Sequence, residues 1–236
     1  VPSAPLRRLT QAELNHTLRD LFAPVVVPDV TLNDGQGKGY EGDVAHQTPS
    51  DLAVDQMRGA ALDVAAAAVA SKATLLAHVP AAGDAADETQ TGHAFVASFG
   101  ARALRRPLDA REVGVYDGLF DATLAANDFD VALEVTIAAL LQAPSFLYRV
   151  EIGAADSPEL PDATALTPYE VASRLSYLLW SSMPDQALFD AASSNQLATP
   201  DQIEAQARRM LAAPKAEEAV LAFARQWLDL DKVLAE

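Results

Sequence analysis

Apolar residues recur along this chain at the spacing of a helix surface. Leu14, Leu18, Leu21 and Phe22 follow i, i+4, i+7, i+8; so do Val171, Leu175, Leu178 and Leu179, and Ile203, Ala207, Met210 and Leu211. At 3.6 residues per turn such positions share one face, so each set predicts an amphipathic helix. From Asp128 to Leu141 the apolar residues occupy two faces, Phe129, Leu133, Ile137 and Leu140 on one and Val131, Val135 and Ala138 on the other. That pattern predicts a helix packed from more than one side, at the centre of the fold.

The starts of these helices are also legible. A short side-chain oxygen caps free backbone N–H groups, and an acid or amide three residues later reaches back. Thr10 with Glu13, Asp109 with Glu112, Thr167 with Glu170 and Thr199 with Gln202 have this form, and Pro168 and Pro200 stand where a first-turn proline is favoured. Further helices are expected from about Ser50 to Leu76, Glu88 to Leu104, Asp109 to Ala125 and Lys215 to Leu234. The one β-branched run, Val25 to Val27, is enclosed by Pro24 and Pro28, which disfavours a strand. The fold class is therefore all-α, an irregular bundle of about eight to ten helices with no substantial sheet.

Two stretches read as loops: Pro24 to Thr48, with Gly35, Gly37, Gly39 and Gly42, and Gly153 to Ala165, with Pro158 and Pro161. The expected organisation is an N-terminal helical domain over 1–152 containing the long glycine-rich loop near 24–48, a linker over 153–165, and a second helical subdomain over 166–236 that continues beyond the end of this chain. A phrase of leucine, capping residue, glutamate and a leucine-aromatic end recurs at Leu9 to Phe22, Leu108 to Phe120 and Leu166 to Trp180. Its variable spacing argues for shared helix grammar and against a solenoid repeat.

Composition narrows the function classes. Seventeen basic against 33 acidic side chains give a net charge of -16 over 236 residues, a field that repels phosphate backbones and makes nucleic acid a poor partner. The absence of cysteine rules out disulfides, thiolate metal sites and thioether haem attachment within these residues. The longest strongly apolar stretch, Val64 to Ala70, closes at Lys72 and is too short for a transmembrane span. Val1 to Pro5 lack both the charged and the apolar regions of a signal peptide, which is thus absent or already removed.

Candidate chemistry is sparse. His16, His46, His78 and His93 include no i, i+4 pair, so no metal site is expected from them. His46 ends the glycine-rich loop that also holds Asp34, Tyr40, Glu41 and Asp43. That loop offers oxygens to a calcium ion but fails the EF-hand spacing, and the rival reading is a flexible or partner-ordered segment. Ser181-Ser182 and Ser193-Ser194 lack a G-x-S-x-G elbow, and Gly35 to Gly39 lack the spacing of a phosphate loop. Arginines embedded in apolar phrases are more informative: Arg105-Arg106, Arg149 beside Phe146, Leu147 and Tyr148, and Arg174 beside Leu175 and Tyr177. A buried arginine pairs with a carboxylate or reaches water along its stem; the functional alternative is an anion clamp for a substrate carboxylate or a haem propionate. Trp180 and Trp227 read as core or interdomain packing, with ligand stacking as the alternative. The ligand-binding candidates are Arg149, Arg174, Tyr177, Trp180, Tyr40 and His46, and catalytic residues are not identifiable.

Several phrases together resemble a known family: Arg8-Leu9-Thr10 through Asn15 and Arg19-Asp20-Leu21; Phe99 through Arg105-Arg106-Pro107-Leu108; Pro144 through Glu151; Ala172 through Asp185; and Arg209-Met210-Leu211 followed by Phe223 and Gln226-Trp227-Leu228. They resemble the large, uncharacterised extracytoplasmic proteins of planctomycete and myxobacterial type that carry several domains of unknown function in tandem. His16 stands where a second asparagine is expected in the family phrase. The resemblance implies a periplasmic or cell-surface location, an export signal already removed, and a longer protein whose far C-terminal part carries a C-x-x-C-H haem motif. It implies a non-catalytic helical scaffold half of an exported haem-linked protein with redox activity, no cofactor within this chain, and as partner the remaining C-terminal polypeptide or a second protein chain. The alternative is a periplasmic or cell-surface binding or structural module for a polymer or partner protein.

Overall fold

A computed structural model describes residues 6–32, 50–77, 79, 87–153 and 164–228. Among these residues the chain forms eleven helices and a single two-stranded sheet in which β1 (Arg7–Arg8) pairs with β2 (Tyr148–Arg149). The all-α class is as the periodicity predicts, and Val25 to Val27 form no strand. No helix among the described residues is long and apolar enough to cross a membrane. The chain divides into two compact units: Leu18–Asp34 with Pro49–Tyr148, and Val1–Thr17 and Gly35–Thr48 with Arg149–Glu236. The division passes within α1 (Gln11–Phe22), between Thr17 and Leu18.

The first of these units is built on α2 (Asp51–Val69), α3 (Lys72–Leu76), α4 (Glu88–Ala103), α5 (Ala110–Ala126), α6 (Phe129–Gln142) and α7 (Pro144–Leu147). α6 packs against α2, α4 and α5, which makes it the central helix. Its main buried face is Leu133, Ile137, Leu140 and Leu141, each side chain contributing about 1.5–3 kcal/mol by leaving water. Of the second face expected, Val131, Val135 and Ala138, only Ala138 is buried; Ala132 and Thr136 are buried instead of the valines, and Val131 is exposed. Thr136 can be buried because its hydroxyl donates to the Ala132 carbonyl of its own helix at 2.8 Å. On α2 the buried face is largely alanine, Ala53, Ala61, Ala65 and Ala68 with Met57 and Val64, and such small side chains let helix axes approach closely.

The helix expected over 50–76 is interrupted. The Ala70 and Ser71 N–H groups bond to Ala66 O and Ala68 O, a tightened last turn that closes α2 before α3 begins. Phenylalanines join the remaining helices: Phe22 lies 5.2 Å from Phe99, Phe95 stacks on Phe99 at 4.9 Å, and Phe120 meets the edge of Phe129 at 5.7 Å. Phe120 is completely buried because it lies over Gly92 of α4.

The end of α4 shows how a buried arginine is accommodated. Arg105 takes a left-handed backbone conformation, φ 60°, just past the helix, a position more often filled by glycine. From there its guanidinium donates to the carbonyls of Ser145 at 2.7 Å, Phe146 at 3.1 Å and Tyr148 at 2.9 Å. Ser145 and Phe146 belong to the short helix α7 and Tyr148 is its C-cap, so one side chain completes a helix terminus. The arginine was expected to find a carboxylate or water, but backbone oxygens take these bonds.

The second unit is built on β1, the first part of α1, Arg149 of β2, α8 (Pro168–Trp180), α9 (Gln186–Ser193), α10 (Pro200–Leu211) and α11 (Pro214–Trp227). α8 packs against α9, α10 and α11. Its buried face is Ala172, Ser176, Tyr177 and Trp180, rotated from the expected set, and Leu178 is 69% exposed. Trp180 joins Leu188, Ala191, Leu197, Met210 and Ala216 in the core, and its indole N–H donates to Met210 O at 3.0 Å. All four expected capping boxes form, at Thr10, Asp109, Thr167 and Thr199. The last helix was expected from Lys215 to Leu234; it starts at Pro214 and is described to Trp227, and residues 229–236 lie outside the described residues.

Two glycine substitutions separate packing from propensity. A Cβ at Gly92 would stand 2.1 Å from the Phe120 ring, whereas one at Gly118 of α5 meets nothing within 4 Å. Gly92→Ala is expected to lower stability by about 1–3 kcal/mol through the displaced ring. Gly118→Ala is expected to raise it by about 0.5–1 kcal/mol. Denaturant unfolding followed by circular dichroism checks both.

Candidate functional site

The first two turns of α1, the end of β2 and the last turn of α8 bring Glu13, Thr17, Arg149 and Tyr177 together in the second unit. The Thr10 N–H donates to Glu13 Oε2 at 2.9 Å and the Glu13 N–H to Thr10 Oγ1 at 3.2 Å, which fixes the Glu13 carboxylate at the helix start. One turn on, Thr17 is fully buried and its hydroxyl donates to Glu13 O at 2.6 Å. Since that uses its only proton, the Tyr177 hydroxyl is the donor in the 2.9 Å contact between Tyr177 and Thr17. Tyr177 is thereby held with its ring beneath Arg149, whose guanidinium carbon lies 5.5 Å from the ring centroid, within cation–π range.

Arg149 is the least satisfied of these groups. Its side chain is 12% exposed, and Nη1 stands 3.9 Å from Glu13 Oε1, an ion-pair distance too long for a hydrogen bond. Its Nε is buried without a hydrogen-bond acceptor. A buried cation in this state has Coulomb attraction and the ring face, but not the directional bonds that normally compensate for lost water.

The other expected site residues lie elsewhere or serve the fold. Arg174 is half exposed and holds Glu151 with two donors, Nη2 to Oε2 and Nε to Oε1 at 3.1 Å. The hydrogen bond to Glu151 keeps the Arg174 guanidinium above its ordinary range. Trp180 is core packing, flanked by Arg209 and Lys215, each 5.6 Å from the ring centroid. Arg209 is in turn bidentate to Asp185, the N-cap of α9, at 2.7 and 3.0 Å. Arg106 grips Glu112 of a capping box with two 2.7 Å bonds, and this bonding holds the Glu112 carboxyl below the usual range. Tyr40 and His46 lie outside the described residues. Among the described residues no group of three or more His, Asp and Glu side chains is placed to hold a metal.

Two polar groups carry more than their sequence suggests. Glu13 and Glu170 each close a capping box, and each also reaches a second segment: Glu13 faces Arg149, and Glu170 accepts the N–H groups of Ile152 at 2.7 Å and Gly153 at 3.0 Å. The box was legible at three-residue spacing, the second partner was not. His93 of α4 lies 2.9 Å from Asp121 and 4.0 Å from Asp117, two carboxylates one turn apart on α5. The Asp117 carboxyl is pushed up by burial, against the attraction of His93.

Glu170 makes a pH prediction. Burial raises its carboxyl, but the hydrogen bonds from Gly153, Thr167 and Ile152 outweigh burial and hold it below the usual range. A carboxyl depressed in the folded state adds stability above its unfolded pKa, and that stability is lost as pH falls through the folded value. Glu170→Gln is therefore expected to weaken the protein at neutral pH and to flatten its stability between about pH 5 and pH 3, because the substituted amide does not titrate. Urea midpoints across that range test it, and an unchanged slope would contradict it.

No match is found among curated proteins or among solved structures. Three family models match the chain in order, PSD3, a protein of unknown function (DUF1587), over residues 7–70, PSD5 (DUF1595) over 92–151 and PSD4 (DUF1592) over 166–236, so that it carries three domains of unknown function in tandem.

Proposed function

We propose that this chain is the non-catalytic helical scaffold of an exported protein whose haem-linked, redox chemistry resides in a further stretch of polypeptide. The observation that carries the scaffold reading is where the polar side chains are spent. Arg105 finishes α7, Arg106 and Arg209 brace helix-capping carboxylates, Glu170 gathers N–H groups from two segments, and Trp180 donates to a core carbonyl. These groups hold backbone in place and leave little for a reacting substrate. The chain has no cysteine with which to attach a c-type haem, so its residues do not fit that role. The haem, on this reading, belongs to the remaining polypeptide, which the resemblance to tandem unknown-function proteins motivates.

The surface where that polypeptide would dock is the outer half of α11. Val220, Leu221, Phe223, Trp227 and Leu228 are each 53–65% exposed. Ala216, on the same helical face as Phe223 and Trp227, is buried in the core. Among the described residues that face of α11 thus stays largely exposed over three more turns. A contiguous run of exposed large apolar side chains on one element supports a protein contact. A second reading, a surface module for a polymer, draws on the exposed Phe223 and Trp227 rings, stacked at 6.2 Å. It predicts retention on immobilised polysaccharide, lost in Trp227→Ala.

Phe223→Glu with Trp227→Glu is expected to leave helicity intact and to cut association with the separately expressed C-terminal polypeptide by about a hundredfold or more, the loss of two central aromatic anchors. Equal association would remove the docking assignment. An absorption spectrum of the intact native protein tests the haem: a Soret band is expected, and its absence sinks the haem-linked reading.

A further inference from the structure

A guanidinium carries five N–H donors, and native structures leave few buried donors without acceptors. Arg149 departs from that rule: its Nε is buried without an acceptor. Its guanidinium makes no hydrogen bond with the described residues; it lies 5.5 Å from the centroid of the Tyr177 ring and 3.9 Å from a Glu13 oxygen. Glu13 cannot close that gap cheaply, because Oε2 is committed to the Thr10 N–H and the helix start fixes the carboxylate. Tyr177 cannot move away either, since its hydroxyl is bonded to the buried Thr17. The cation is therefore held in a fixed plane with unused donors, while 12% of its side chain and 14% of the Glu13 side chain remain open to solvent.

We propose that Arg149 is the anchor of a carboxylate-binding site in which the incoming carboxylate takes the donors that Glu13 leaves unused. The planar fork of guanidinium matches a carboxylate in two parallel bonds. The geometry favours carboxylate over phosphate, because one planar cation on an aromatic face lacks the several convergent donors that a tetrahedral dianion attracts. Glu13 sets the affinity: its negative charge competes for Arg149 and repels the ligand, so binding is weak in the protein as it stands.

The Arg149 side-chain Nε–Hε resonance, identified by its disappearance in Arg149→Lys, reports on this site directly. Titration with acetate and succinate is expected to move it saturably, whereas matched chloride is not. Arg149→Lys keeps the charge but loses the fork and is expected to weaken succinate binding, read by calorimetry, about tenfold or more. Glu13→Gln is the decisive variant: glutamine still closes a capping box, so the fold is kept, and binding is expected to tighten about tenfold. A purely structural Glu13–Arg149 pair predicts no such gain. A resonance already shifted in the intact native protein, and deaf to succinate, assigns the carboxylate to the protein's own further polypeptide; a shift only on titration assigns it to a free acid. The proposal is overturned if neither occurs, if chloride reproduces the shift, if phosphate alone acts, or if Glu13→Gln leaves binding unchanged.

Discussion

A chain that is mostly helix must dispose of its helix ends. Each terminus presents up to four backbone groups without intrahelical partners, and burying one of them unmet costs about as much as a lost hydrogen bond. In this protein that constraint absorbs most of the polar side chains that would otherwise suggest chemistry. Side chains at Asp87, Asp128 and Asp185 start helices in the simplest way, by accepting one N–H each. Thr10, Asp109, Thr167 and Thr199 start them reciprocally with an acid or amide. Arg105 closes the opposite kind of terminus, with one cation serving three carbonyls.

Once the ends are satisfied, packing follows from shape. Alanine on α2 and glycine at position 92 are the small residues that make room for the large ones, the leucines and Ile137 of α6 and the ring of Phe120. Interiors packed at crystal-like density tolerate little change at such points. In the other unit Trp180 has the corresponding role, bonded to the Met210 carbonyl and flanked by Arg209 and Lys215. Arg149 stands out against this background. Its side chain is 12% exposed, yet its donors serve no backbone carbonyl as those of Arg105 do, and Tyr177 and Glu13 hold it in place.

Helix existence and helix starts were determined by the sequence itself, because both depend on residues within one turn of each other. Three-residue spacing of Thr167 and Glu170 is enough to specify a capping box, and 3.6-residue spacing is enough to specify a helix. That α6 is packed from more than one side was legible for the same reason, although the residues of its second stripe were not. Which face is buried was less so: on α8 Leu178 points outward while Ser176 and Tyr177 point inward. A hydroxyl that finds a partner is as well buried as a leucine, and only the neighbouring helix shows whether the partner exists.

The candidate site was half legible. Arg149 and Tyr177 could be named from their apolar surroundings, yet nothing local in the sequence says that they meet each other, or that they meet Thr17 and Glu13 some 130 to 160 positions earlier. Arg174, drawn from the same kind of phrase, is instead a surface partner of Glu151. The tertiary structure decided these assignments because hydrogen bonds and ion pairs act over a few ångströms of space, whatever the distance along the chain. Periodicity and capping are properties of a turn; the environment of a guanidinium is a property of the assembled fold.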